Sequence, residues 1–350
     1  MKNTLSKNYL GYIPALDGLR AFAIILVMMA HSNFRLFGNG GIGVTLFFAL
    51  SGFLITTLLL EEFDKNNDIS FKAFYVRRTF RLFPALYTVL FFVFIYSFFF
   101  NYKIFPTVYP EIIASGLYVY NISWLWNVKP LLLYHNWSLG VEEQFYVLWP
   151  ITLYVFMKNK ALKLASYLLI AFILFFWVTK LLSIFNGTFF VFVSQVIDES
   201  IFLGCLLAIV RWRGMLNFTI PMIWTFLCLI CIVIIGAFSN VDLELYNPLL
   251  HKIVSVFACV IILYLVNESN GFIHKVFSNK VMVFIGKISY SLYLWHLPVF
   301  RIFALHSTLN PRVSFVSKIF VSFFFALLSW YLVEKISTNY GRSLSKRIVK

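Results

Sequence analysis

Ten apolar runs of sixteen to twenty-three residues recur along this chain, at about 14–33, 42–60, 82–100, 138–157, 164–184, 195–210, 219–238, 250–267, 281–303 and 314–333. A helix rises 1.5 Å per residue and the hydrocarbon core of a bilayer is about 30 Å thick, so runs of this length cross membranes. Water could not solvate the alternative: 61% of the 350 residues are hydrophobic, 12% are charged and the mean hydropathy is +0.85. The expected class is an all-α integral membrane protein, a bundle of about ten transmembrane helices. Forty-two Phe and nineteen Tyr suit lipid-facing surfaces and interfacial belts. The net charge of +15 is carried mostly in short loops between apolar runs, which is the pattern of membrane orientation, so nucleic acid is not expected as a partner.

Loop charge also decides an ambiguous stretch, EIIASGLYVYNISWLW at 111–126. With ten spans and a cytoplasmic N-terminus, nineteen Lys and Arg lie inside, eight outside, and Arg20 and Lys287 within spans. If 111–126 also crossed, the split would become thirteen inside and fourteen outside. The positive-inside rule therefore predicts both termini in the cytoplasm and 111–126 as a re-entrant or interfacial segment on the outer side. The polar N-terminus MKNTLSKNYLGYIP has no cleavable-signal architecture, so the first span is expected to stay as an anchor. One membrane domain over 1–350 follows, with no soluble domain. Cys205, Cys228, Cys231 and Cys259 all lie in apolar runs and read as small core residues, with neither metal nor disulfide expected.

Ionisable residues inside spans are costly and mark function by default. In LDGLRAFAIILVMMAHSN, residues 16–33, Arg20 and His31 are eleven residues apart. Eleven steps of about 100° return to within roughly 20° of the starting direction, so both share a helix face, about 16 Å apart along the axis. The alternative is that Arg20 merely pairs with Asp17 at i, i+3. In FYVRRTFRLFPAL, Arg77, Arg78 and Arg81 stand at the cytoplasmic start of span three at helical spacings. Forked, permanently charged donors suit phosphates, although such a cluster also serves as an anchor to anionic lipid. In NWSLGVEEQFYVLWP, Ser138 is placed to cap span four, with Glu142 and Glu143 in or just past its first turn. One carboxylate is expected to turn inward at the depth of His31 and set its tautomer. GKISYSLYLWHLP in span nine adds Lys287, Tyr290, Tyr293 and His296, the last read as a hydrogen-bonded packing residue. Ser51 and Ser138 are nucleophiles by type, but no base adjoins either.

Taken in order, LDGLRAFAIILVMMAH, GGIGVTLFFALSGFLIT, RRTFRLFPAL, WSLGVEEQFYVLWP, GKISYSLYLWHLPV and WYLVEK resemble the membrane-bound acyltransferase 3 family over about residues 12–335, with 336–350 left as a basic cytoplasmic tail. The resemblance implies a multi-pass enzyme of the bacterial inner membrane. Such an enzyme takes an acyl group, usually acetyl, from cytoplasmic acyl-CoA as donor substrate and esterifies a hydroxyl of a carbohydrate, often on the outer side. Carried over by motif, Arg20, Arg77, Arg78 and Arg81 become candidate CoA-binding residues and His31, Glu142 and Glu143 candidate catalytic ones. His31 then serves either as general base or as transient acyl carrier. Ile336 stands where the family often has proline. The short tail implies no fused SGNH esterase-like domain, so transfer is expected to finish in the membrane domain or with a separate partner. The expected acceptor is a surface polysaccharide such as O-antigen, capsule or exopolysaccharide. Peptidoglycan sugars, a lipid-linked glycan and a small metabolite remain open. The rival class is a multi-span transporter or flippase, against which no pair of matching interrupted spans is found.

Overall fold

Wherever lipid replaces water the backbone must close its own hydrogen bonds, and the described part of every long apolar run does so as helix. The structure, a computed structural model, describes residues 9–32, 40–186, 198–238 and 247–349. In chain order the helices are α1 (Pro14–His31), α2 (Gly41–Asn66), α3 (Phe71–Ile95), α4 (Phe105–Gly116), α5 (Trp137–Lys158), α6 (Leu162–Asn186) and α7 (Glu199–Trp212). They continue as α8 (Met222–Phe238), α9 (Asn247–Asn267), α10 (Phe272–Phe277), α11 (Lys280–Lys287), α12 (Ser289–His306), α13 (Pro311–Ser329) and α14 (Lys335–Val349). No strand occurs among the described residues. Six of these helical stretches are long and apolar enough to cross a membrane: Pro14–His31, Gly41–Asn66, Phe71–Phe100, Leu162–Lys180, Leu249–Asn267 and Pro311–Val349. The protein is an all-α, multi-pass membrane protein. The other expected spans are helical but shorter or more polar.

Three stretches differ in detail from their sequence pattern. The run 281–303 is not one helix, because α11 stops at Lys287 and α12 restarts at Ser289. Gly286, a poor helix former, sits at the break, where a Cβ would lie 1.8 Å from the Asp17 carbonyl oxygen. The ambiguous 111–126 stretch forms only the end of the twelve-residue α4 and a 3₁₀ turn at Tyr120–Trp126. At 1.5 Å per residue α4 is about 18 Å long, too short to cross. Finally, residues 336–349, read as a basic tail, are helical: without a proline at 336 the helix continues from a π-turn at Trp330–Glu334 through Val349 and packs on α3.

The described residues fall into two compact units, one within Met1–Ala23, Gly41–Ile69 and Leu148–Lys287, the other within Ile24–Gly40, Ser70–Val147 and Ile288–Lys350. In the first, α2 and α7 touch backbone to backbone. A Cβ on Gly52 would meet the Ile201 carbonyl oxygen at 1.8 Å, and one on Gly204 would meet that of Ala49 at 2.1 Å. Apolar burial gives helices little reason to associate in lipid, so close van der Waals approach through small residues takes its place. Nearby charge is internally matched: buried Glu199 accepts from Lys180 Nζ at 2.9 Å and from Lys252 Nζ at 3.0 Å.

In the second unit α3, α12 and α13 join through Phe92, Trp295 and Phe325, with Trp295 and Phe325 stacked at 4.8 Å. Buried Glu111 of α4 gathers the loop ahead of α5, accepting from the amides of Leu131 and Leu132 at 2.8 Å each, Leu133 at 3.3 Å and the Tyr120 hydroxyl at 2.7 Å. These bonds hold residues 131–136 in place.

Replacing Gly204 by valine is expected to cost about 1–3 kcal/mol or more by overpacking the α2–α7 contact. The unfolding midpoint in detergent should fall, while Gly116→Ala, whose new methyl would meet Leu90 at an ordinary 3.4 Å, leaves it nearly unchanged.

Candidate active site

His31 is the last residue of α1 and is half-buried. Its Nδ1 lies 3.1 Å from Nε2 of His296, and the two rings are 5.2 Å apart. His296 is fully buried on α12, where its Nδ1 sits 2.6 Å from the Tyr293 carbonyl oxygen and 3.2 Å from that of Leu292, one turn back on the same helix. A third histidine joins them. His135, buried in the 3₁₀ turn Tyr134–Asn136, sets its ring 5.1 Å from His296 and 5.2 Å from Tyr293. Among the described residues its nitrogens make no well-formed hydrogen bond, although the backbone of Tyr293 and Leu294 lies close enough to interact with them. On the exposed side, Tyr134 packs 5.6 Å from His31, and the Arg301 guanidinium lies 5.4 Å from the Tyr134 ring.

A second polar cluster forms between α3 and α5. The Arg78 guanidinium lies 4.1 Å over the ring of buried Tyr146, whose hydroxyl donates to Glu142 Oε1 one turn earlier on α5. Arg78 also feels the charges of Glu142, Glu143 and Arg81, and Glu143 Oε2 is buried without a hydrogen-bond partner among the described residues. Arg81 faces the charge of Glu334, whose Oε2 accepts from Ser291 at 2.7 Å. Gln144 completes the motif by binding the Tyr118 carbonyl and exchanging hydrogen bonds with Asn121, which ties α5 to the 3₁₀ turn. Between the clusters stands Tyr293. Its hydroxyl donates to the His135 carbonyl at 2.8 Å, lies 2.6 Å from Ser138 Oγ, and senses the Glu142 charge.

The structure therefore joins the expected residues in a different way from their sequence pattern. His31 is met by a histidine, not by Glu142 or Glu143, which gather instead around Arg78. The reason is where the helices begin. α3 starts at Phe71, so Arg78 lies seven residues inside it, about 10 Å along the axis, deep enough to reach the second turn of α5. Arg77 and Arg81 sit half-buried on the same helix. Arg20 belongs to the first unit and pairs with Asp17 at 2.7 Å, the local i, i+3 contact; Asp17 also accepts from the Tyr12 hydroxyl at 2.8 Å. Ser138 is no cap, since α5 begins at Trp137 and the Ser138 hydroxyl bonds Tyr293. His296 is hydrogen-bonded as expected. His135 escaped sequence reading, yet on the ten-span topology it lies just ahead of span four on the outer side, toward which His31 and His296 also fall in their spans. That shared depth was the available signal.

Residues 13–334 match the sequence model described as an acyltransferase domain. The chain belongs to this acyltransferase family. Among its relatives, this acyltransferase domain is 34% identical to peptidoglycan O-acetyltransferase OatA of Listeria monocytogenes over 316 residues, 82% of this chain and 49% of the relative. It is 31% identical over 371 residues to YrhL of Bacillus subtilis, named Putative peptidoglycan O-acetyltransferase, covering 96% of this chain and 57% of the relative. The chain thus spans about half the length of the curated relatives it matches. No solved structure matches it.

Because Glu111 holds the loop that delivers His135, Glu111→Gln, which replaces one acceptor oxygen by a donor, should loosen residues 131–136. Losing bonds to a charged acceptor costs about 1.5–3 kcal/mol, so amide exchange at Leu131 and Leu132 should accelerate about tenfold or more. Hydrogen exchange read by mass spectrometry checks this.

Proposed function

We propose that this acyltransferase domain transfers an acetyl group from acyl-CoA to a carbohydrate hydroxyl, with His31 as the reacting side chain. The observation that carries the reading is the half-buried His31, whose ring meets a buried histidine inside a chain whose family match runs from 13 to 334. Ring orientation of this kind suits a base or nucleophile. The peptidoglycan named for OatA and YrhL moves the favoured acceptor from O-antigen or capsule to a cell-wall glycan. Charge bias in the loops supports an inner-membrane orientation with both termini in the cytoplasm.

In this reading Arg77, Arg78 and Arg81 receive the CoA phosphates, and Arg20 is proposed for the same chemistry on α1. Arg78 is stacked on Tyr146 and balanced by Glu142 and Glu143. Both carboxylates thus act through Arg78, not on His31. For direct transfer, His31 takes the proton of the acceptor hydroxyl while its oxygen attacks the thioester carbonyl. The C–S bond then breaks, and the CoA thiolate receives the proton from His31, leaving ester and free thiol. For transfer by way of His31, its lone pair attacks the carbonyl first and the C–S bond breaks to release CoA thiolate. The acceptor hydroxyl then attacks the acyl-imidazolium, the N–C bond breaks to restore His31, and the hydroxyl proton passes by way of water to the thiolate. Release of CoA in a burst without acceptor distinguishes the second route.

Membranes containing the protein, given acetyl-labelled CoA and cell-wall glycan, should place label in alkali-labile esters, and His31→Ala should abolish it. Absence of label with the native protein overturns the reading. Arg78→Lys keeps the charge but loses the planar stack and forked donors. It is expected to raise the KM for acyl-CoA about tenfold, equivalent to about 1.4 kcal/mol, as measured by initial rates of CoA release.

A further inference from the structure

We propose that His296 is a positioning residue that fixes His31 as the Nδ1–H tautomer, leaving Nε2 of His31 as the reactive nitrogen. This rests on the reading that His31 is the reacting group. Backbone carbonyl oxygens only accept hydrogen bonds, so the 2.6 Å contact to the Tyr293 carbonyl requires that His296 Nδ1 carry a hydrogen. No carboxylate contacts His296 among the described residues; its ring neighbours are His31, His135, Tyr293 and Phe300. A second proton would create an unpaired imidazolium in a fully buried position, at high cost. His296 is thus neutral, with its lone pair on Nε2. That nitrogen faces His31 Nδ1 at 3.1 Å, so His31 donates. A neutral imidazole has one N–H, and with it committed to Nδ1 the lone pair of His31 lies on Nε2.

Gly40 lies against the far edge of the His31 ring. A Cβ on Gly40 would stand 3.0 Å from Cε1 and 3.2 Å from Nε2 of His31, closer than most side-chain contacts allow. Even one methyl there would press on the reactive edge. The device differs from a carboxylate–histidine pair in adding no charge. It aims the ring without placing a counter-charge beside it, which suits a group that must begin neutral and accept either a proton or an acyl group.

The test uses the full-length protein with 15N-labelled histidine in micelles, with resonances assigned through His31→Ala and His296→Gln. The expected spectrum has a pyrrole-type Nδ1 and a pyridine-type Nε2 for His31, and the same arrangement for His296. In the transfer assay, His296→Gln, which offers an amide oxygen near the place of Nε2, should keep activity within about tenfold. His296→Phe, which fills the site without an acceptor, should lose about a hundredfold in kcat, the size of a misdirected base, with the KM for acyl-CoA unchanged. Gly40→Ala should also lower kcat. An Nε2–H tautomer for His31, or His296→Phe matching His296→Gln, overturns the proposal, and the spectrum of the native protein decides it even where a variant fails to fold. No transfer by the native protein overturns the acyl-transfer reading and the reactive role of Nε2 with it. An Nε2–H tautomer in a protein that does transfer overturns only the present assignment.

Discussion

A polar group facing hydrocarbon without a partner costs several kcal/mol, and lipid supplies no partner. Several buried charged side chains in this bundle are accordingly matched to one another or to backbone. Glu111 is surrounded by three amides and a hydroxyl, and Glu199 by two lysines. Arg78 spreads its charge over an aromatic face and two carboxylates. The same constraint puts His296 between a carbonyl and His31, because its two ring nitrogens need one acceptor and one donor. Helix ends, loops and functional groups are arranged around these pairings.

The pairings also separate two kinds of chemistry within the second unit. Around Arg78 the groups are charged and of both signs, with Glu142 and Glu143 opposing Arg78 and Arg81. Around His31 the groups are the imidazoles of His296 and His135 and the phenol of Tyr134, with a fixed charge, the Arg301 guanidinium, close enough for His31 to feel it. Tyr293 contacts both sets, through Ser138 and the His135 carbonyl on one side and the Glu142 field on the other. A single helix, α12, thereby carries Ser291, Tyr293 and His296 toward three different polar partners at helical spacing.

Much of this was legible in the residues. The apolar runs and the loop charges announced an all-α bundle, and twelve residues of α4 bear out the view that 111–126 does not cross. Arg20, His31, the three arginines and the two glutamates were singled out because ionisable groups in apolar runs demand explanation. Their partners were not legible. Matching residues by depth paired His31 with a carboxylate, since depth says nothing about which helices are neighbours or how each is rotated. Arg20 resolved to its local partner Asp17, the outcome that i, i+3 spacing alone would have given. Gly52, Gly204 and Gly40 carried no visible signal, because a glycine's importance lies in the atoms that approach it from elsewhere in the chain.

What the sequence alone determined was the medium and the inventory: which segments are apolar enough to leave water, which side chains are too polar to do so without a reason, and which family the order of motifs resembles. These follow from composition and local period, quantities that each segment carries by itself. Only the tertiary structure decided the pairings. Arg78 met Tyr146, Glu111 met the amides of 131–133, and His31 met His296, 265 residues away. Such contacts depend on helix rotation and on starting points shifted by a turn or two. In a medium without water to absorb a mismatch, the buried charges constrain which arrangement of helices is tolerated.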